Sequence, residues 1–377
     1  MKTSRLEEDS DIVRGASAVA ALAATRAEHA ENARTLDREV INALVAAGFT
    51  RHFVPTRFGG AGGSLSELMH AAVTVGSRCP ATAWCAVLAG LMARVALALP
   101  AEGQTLLWSA GPDVFIAGGI SPHGTATATD EGWLLSGVWP MVSAAEHSDW
   151  VLLAAEVRSA DGRADRVCVV PRSAVHVERS WDSVGMAATG SHTVIAEEIL
   201  VPVAMTFPFA RLGEIDEPPI GPDGRTVPLL AVNGLIFTLP MMGAAYGALR
   251  EWRHSNRAKL VDRATEPAAA RILETFARAA SEIDAAALIL DRVARAADDQ
   301  SAVLGRAEVA RNQRDCAFAS DLLLDAVDRL FRVGGTSGRS TGGALQRFWR
   351  DIHTAGGHAA LRFDTAAAAF AALTIDQ

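Results

Sequence analysis

The sequence predicts a mainly α-helical protein whose helices are divided by one central β region, and three observations predict it. Apolar residues recur at three- and four-residue spacing over the first ~110 positions, alternate with a period of two from Val114 to about Pro202, and return to helical spacing further on. At 377 residues the chain exceeds what one hydrophobic core usually organises. Three units are therefore expected: a helical one over 1–113, a β unit over 114–205 and a helical bundle over 206–377.

The first unit begins with Leu36, Val40, Ile41, Leu44 and Val45 on one helical face, and Gly48 stands where a glycine would end that helix. FVPTRFGGAGGS then reads as a Pro/Gly loop, after which Ser64 or Ser66 can cap a helix with Glu67 in its first turn. ATAWCAVLAGLMARVALAL is apolar nearly all round, which places it at the centre of the fold. The β runs follow as FIAGGIS, TATATD, GWLLSGVW, DWVLLAAEV, RVCVVP, AVHVERS and HTVIAEEILVP, with turns expected at Pro122-His123-Gly124 and Asp161-Gly162. Beyond EIDEPPIGPDGRTVP, Thr265 and Pro267 mark a helix start, and Ile272, Phe276, Ala279, Ile283, Ala287, Leu290 and Val293 form its stripe. A helix from about Leu304 to Val333 stops at GGTSGRSTGG, and a last one contains LQRFWRDIHTAGGHAAL.

Composition narrows the function. Half of the residues are hydrophobic, 21% are charged, and 35 basic against 43 acidic residues give a formal charge of -8. Sequence-independent nucleic-acid binding needs a concentrated basic surface and is not expected. MKTSRLEEDSDIVRG carries acids where a signal peptide has a basic region, and the apolar runs VALALP and LLAVNGLIF are shorter than the ~20 residues of a membrane span. A cytoplasmic enzyme is the expectation, without membrane association. Cys79, Cys85, Cys168 and Cys316 form no C-x-x-C pair and no cluster with histidines, so no metal site is expected.

Several motifs, taken in order, carry a resemblance. LDREVINALVAAGFTRHFVPTRFGG is similar to the N-terminal signature of the acyl-CoA dehydrogenase superfamily, the middle segment resembles its flavin-binding β domain, and GGTSGRSTGGALQRFWRDIHT resembles its Gly-Gly loop and Arg-Asp helix. The likeness spans nearly the whole chain and implies an N-terminal helical domain, a middle β-barrel-like sheet domain and a C-terminal four-helix bundle. Within the superfamily, SGVWPMVSAAEHSDWVLLAA, WDSVGMAATGSHTV and RFWRDIHTAGGH look most like two-component flavin-dependent monooxygenases. The resemblance implies a homotetramer that takes reduced FMN or FAD from a separate flavin reductase. With dioxygen, through a flavin 4a-hydroperoxide, it would oxygenate a small organic substrate.

The resemblance also assigns residues. Ser143 takes the place of a hydroxyl that hydrogen-bonds the flavin's central ring, and a hydroxyl can match a ring nitrogen that is protonated on reduction. Read alone, without the resemblance, Ser143 is a turn serine. Met141 takes the place of an aromatic residue packed on that ring, with Trp139 beside it, and Gly334 and Gly335 resemble the Gly-Gly contact to flavin phosphates, often made across a subunit interface. His358 is the candidate acid, base or donor at the substrate, its plainer reading being a polar helix end. His353, five residues earlier, points elsewhere on an ideal helix and reads as structural.

The substrate pocket is expected to include Met92, His147, Ala188 and His192. Met92 stands where several aromatic hydroxylases have a histidine, and Gly185-Met186-Ala187-Ala188 lacks an arginine frequent in the family, which argues for a neutral or bulky substrate. The cluster Glu146-His147-Ser148-Asp149 reads mainly as a polar turn, since no G-x-S-x-G elbow supports a nucleophilic triad. Where acyl-CoA dehydrogenases have a Tyr-Glu-Gly-Thr base segment, alignment on Arg350-Asp351 places His358 and Ala359. A flavin dehydrogenase with its base elsewhere, and a non-redox binding protein or lyase on the same scaffold, stand as alternatives.

Overall fold

The computed structural model describes residues 10–159, 162–213, 227–262, 267–299 and 304–375. The acidic start, Asp161, most of the Pro/Gly/Asp-rich connection at 214–228 and Thr265 lie outside the described residues. The N-terminal helices are α1 (Asp11–Ala33), α2 (Arg38–Ala46), α3 (Leu65–Gly76), α4 (Pro80–Val95) and α5 (Ala101–Leu107). Helix α2 buries Val40, Ile41 and Leu44, and Gly48 follows it with a φ of +90°, a backbone that favours glycine. Ser64 caps α3 in a full capping box: its Oγ accepts from Glu67 N at 3.2 Å while Glu67 Oε2 accepts from Ser64 N at 2.8 Å. Asp298 adds a second cap from far along the chain, its carboxylate accepting from Leu65 N at 2.7 Å and Ser66 N at 2.9 Å. Helix α4 is buried along nearly its whole length, as its all-round apolarity requires.

Seven strands follow: β1 (Ile116–Thr129), β2 (Gly132–Val142), β3 (Trp150–Ser159), β4 (Gly162–Pro171), β5 (His176–Glu178), β6 (His192–Val201) and β7 (Thr206–Pro208). They form one mixed sheet in the order β5-β6-β2-β1-β3-β4-β7, with β1 and β3 parallel. The expected turn at Pro122-His123-Gly124 is not one. Residues 116–129 run as a single strand, and the proline sits where the β1–β3 register shifts between Gly119 and Gly124. Strand β2 likewise runs past Trp139 through Pro140, with Met141 at φ +60° inside a register shift between Trp139 and Val142.

The Trp139 indole explains a set of glycines. Gly124 and Gly137 are paired across β1 and β2, and a Cβ at either would stand 2.4 Å and 2.8 Å, respectively, from ring carbons of Trp139. The ring fills that slot, fully buried, and its Nε1 donates to Ala154 O at 2.7 Å on β3.

Helices α6 (Leu229–Asp262), α7 (Pro267–Asp298), α8 (Arg306–Val333) and α9 (Ala344–Gly356) form the C-terminal bundle, and α10 (Phe363–Thr374) packs on α8. Pro80–Ala98 and Leu229–Arg257 are long and apolar enough to cross a membrane, unlike the shorter runs visible in sequence, but both are mostly buried as core helices. Helices α3 and α6 cross backbone to backbone: a Cβ on Gly243 would stand 2.6 Å from Gly76 Cα. Helix α6 also packs on α4, and a hollow lies where α4, the sheet and the end of α9 meet.

Candidate active site

That hollow is a cavity of about 670 Å³, within the size range of sites that hold cofactors and small ligands. Helix α4 contributes Trp84, Leu88 and Met92, spaced one turn apart on one face. Met92 packs closely on β1, and a Cβ at Gly118 would meet its Sδ at 2.1 Å. The end of β2 supplies Met141, 66% exposed at the mouth, and Ser143 deeper in.

Ser143 is part of a line of hydroxyls. Its Oγ accepts from Trp84 Nε1 at 3.2 Å and lies 2.8 Å from Ser191 Oγ, which lies 2.7 Å from Thr189 Oγ1. Thr189 Oγ1 donates to Met186 O at 2.8 Å. Met186, left-handed at φ +52°, is fixed from α9 by Asp351, whose Oδ1 accepts from Met186 N at 2.6 Å. Gly185 lets the loop approach: a Cβ there would stand 2.1 Å from Arg350 O. The Arg-Asp pair of α9 thus anchors the loop over 181–191, and the loop orients Ser143.

Burial pushes the Asp351 carboxyl up to about 7, outweighing the Met186 N–H and the nearby arginines. A carboxyl raised above its unfolded pKa of about 3.9 contributes stability that is fully present below that value and is lost as pH rises through 7. Asp351→Asn keeps an acceptor for Met186 N without the charge. The melting temperature of the variant is expected to gain on wild type by several degrees between pH 5 and pH 8, and parallel curves across that window would contradict this reading. The comparison between two proteins removes contributions from other titrating groups.

His358 lies just beyond α9 and opens a 3-10 turn over Ala359–Leu361. Its ring stacks on Phe237 of α6 at 3.6 Å between centroids and meets Trp84 edge-on at 5.8 Å. Its Nδ1 accepts from Ala360 N at 3.2 Å, so the neutral ring carries its proton on Nε2. Burial holds its pKa down at about 4. Of the roles open to it in sequence, this geometry suits a neutral donor from Nε2. His353, outside the cavity lining, turns to α8, its Nε2 2.9 Å from Asp328 Oδ1.

The cavity brings together Met92, Trp139, Met141, Ser143 and His358. It does not include the other expected residues. His192 is buried behind the wall, where its Nδ1 accepts from Trp181 N at 3.2 Å and burial lowers its pKa. His147 turns toward the N-terminal helices, with Nε2 2.9 Å from Thr35 Oγ1. Ala188 is buried in the loop core, between Ala187 and Thr189. All three were expected in the substrate pocket, and each instead supports the loop or turn that forms its wall. Gly334 and Gly335 end α8 away from this cavity, and Gly335, at φ +67°, has open space around it. Trp139 contributes to the wall with its ring buried in the glycine slot, a packing role where a cofactor contact was expected.

Trp84, Thr189, Ser191 and Phe237 were not singled out in sequence. Trp84 was within reach, since it stands two helical turns before Met92. Phe237 meets His358 across more than a hundred residues, and no local pattern marks that encounter. Among the described residues no group of His, Cys, Asp and Glu is placed to hold a metal ion, and the four cysteines are free and buried.

Comparison with known proteins adds relatives to this geometry. A family model described as acyl-CoA dehydrogenase, N-terminal domain, matches residues 7–104, and one described as acyl-CoA dehydrogenase, C-terminal domain, matches residues 235–363. The chain is 32% identical to the FADH(2)-dependent resorcinol hydroxylase, oxygenase component, of Rhizobium sp. (strain MTP-10005), over 92% of this chain and 89% of that protein. It is 28% identical to the flavin-dependent monooxygenase oxygenase subunit HsaA of Rhodococcus jostii (strain RHA1), over 89% of this chain and 90% of that one. The crystal structure of 3-HSA hydroxylase from Rhodococcus sp. RHA1 matches with a TM-score of 0.90 and 25% identity, covering 98% of both chains.

Proposed function

Because the chain belongs to the acyl-CoA dehydrogenase superfamily, among the oxygenase components of flavin-dependent monooxygenases, we propose that it hydroxylates a neutral phenolic substrate in the cavity between Ser143 and His358. The residues present fit a flavin. Ser143 Oγ faces a cavity of suitable volume, and Ala359 stands where a dehydrogenase of the family would carry its carboxylate base. Reduced FMN or FAD, delivered by a separate reductase, supplies the activation of dioxygen and the transfer of one oxygen atom to the substrate.

The chain's own residues do the rest. Trp84 and Ser143 would hold the flavin, Met141 would cover it at the mouth, and the apolar side chains of α4 exclude water. The rings of Phe237, His358 and Trp84 make an aromatic wall for a planar substrate, and His358 Nε2–H donates to its phenolic oxygen. Arg362 is the one Lys, Arg, Asp or Glu of the lining among the described residues, and Asp364 pairs with it at 2.7 Å, which supports a substrate without an anionic group. Gly334 and Gly335 would contact flavin phosphates in a neighbouring site of a homotetramer, glycine allowing close backbone approach.

The observation that carries the reading is the convergence of the Ser143 hydroxyl line and the stacked His358 on one cavity. Anaerobically reduced FAD or FMN, mixed with the protein, oxygen and a panel of phenols, tests it. Hydroxylated product is expected from neutral phenols and little from aryl carboxylates of the same size. Equal turnover of both would remove the neutral-substrate reading, and oxygen consumed only to hydrogen peroxide across the panel would remove the phenol.

A further inference from the structure

The hydroxyl line at Ser143 has a donor-only group at one end and an acceptor-only group at the other. An indole N–H donates and cannot accept, so Trp84 Nε1 gives its proton to Ser143 Oγ. A carbonyl accepts and cannot donate, so the Thr189 proton goes to Met186 O. Each hydroxyl has one proton. With the Thr189 proton committed, Ser191 must donate to Thr189 Oγ1, and Ser143 must then donate to Ser191 Oγ. The reverse direction would leave the Thr189 and Met186 oxygens facing each other at 2.8 Å without a proton between them. Thr189 and Ser191 are nearly fully buried, so water does not readily replace either link.

Ser143 therefore has no proton left for the cavity. What it presents there is a lone pair, the second acceptor site of its oxygen. This distinguishes the two redox states of a flavin. The central-ring nitrogen that gains a proton on reduction is a donor in reduced flavin and an acceptor in oxidised flavin. We infer that Ser191 and Thr189 are positioning residues that hold Ser143 as an acceptor toward the cavity, so that the site selects reduced over oxidised flavin. The inference rests on the proposed flavin site and adds to it the two residues that set its redox preference.

Dissociation constants for oxidised and anaerobically reduced FMN and FAD, measured on the intact protein and on variants, test this without turnover. Ser191→Ala frees the Ser143 proton to turn toward the cavity. The ratio of the oxidised to the reduced dissociation constant is expected to fall about tenfold, the scale of one hydrogen bond. The two-electron potential of the bound flavin falls correspondingly by about 30 mV. Thr189→Val removes the hydroxyl that accepts the Ser191 proton and is expected to change the ratio in the same direction, while Ser191→Thr and Thr189→Ser keep it. A merely structural role would weaken both redox forms together and leave the ratio unchanged. An unchanged ratio in folded Ser191→Ala, or in Thr189→Val if the first variant does not fold, would overturn the inference while leaving the flavin site intact. Failure of the wild-type protein to bind either form would overturn the site and the inference together.

Discussion

Replacing His358 with alanine is expected to lower the rate of product formation about 100-fold, the usual cost of removing one donor aimed at developing charge, while reduced flavin is still consumed and hydrogen peroxide is released. The expectation follows from position. His358 is held between Phe237 and Trp84, its Nδ1 occupied by Ala360 N–H, so its Nε2 proton is the one available to a ligand. His358→Asn, which keeps an N–H donor on a shorter side chain, should fall between the two. The pH dependence discriminates further. With its pKa held at about 4, the ring is neutral from pH 6 upward, and product formation should show no break near the ordinary histidine value of about 6.5. A break there that vanishes in His358→Ala would mean that the ring titrates as an acid or base during turnover.

Trp139→Ala is expected to give the largest loss of stability, about 3–5 kcal/mol by denaturant unfolding. The ring is fully buried over Gly124 and Gly137, and its removal leaves a cavity between β1 and β2 that neither glycine has a side chain to fill. It also removes the donor to Ala154 O. Trp139→Phe retains most of the volume and should lose less. A loss below about 1 kcal/mol in the alanine variant would show that the slot can collapse, contrary to the close packing described.

Much of the fold was legible because its causes are local. The stripe Leu36, Val40, Ile41 and Leu44, the capping box of Ser64 and Glu67, and the near-uniform apolarity of Pro80–Val95 each specify an element within a few residues. The strand through Pro122 was misread as a turn because a register shift, which depends on the neighbouring strand, accommodates the proline there. The site divided along the same line. Ser143 and His358 could be found by resemblance, and both reach the cavity. His147 and His192 were expected there because they adjoin polar turns, and Ala188 because its stretch is where the family frequently has an arginine, but their directions are set by Thr35, Trp181 and the core of the 181–191 loop, which sequence spacing does not encode. Ser191 and Thr189 lie in the WDSVGMAATGSHTV passage that carries the resemblance, but they matter through a line of bonds joining α4, β2 and that loop, so neither was singled out.

The most direct measurement of the oxygenase reading is isotope incorporation. The protein, chemically reduced flavin and the phenol that turns over best are mixed under ¹⁸O₂ in ordinary water, and the product is weighed by mass spectrometry. The account predicts one ¹⁸O atom in each product molecule, and none when the label is moved to water. Product that carries no label, or substrate oxidised by bound oxidised flavin in the absence of oxygen, would contradict it.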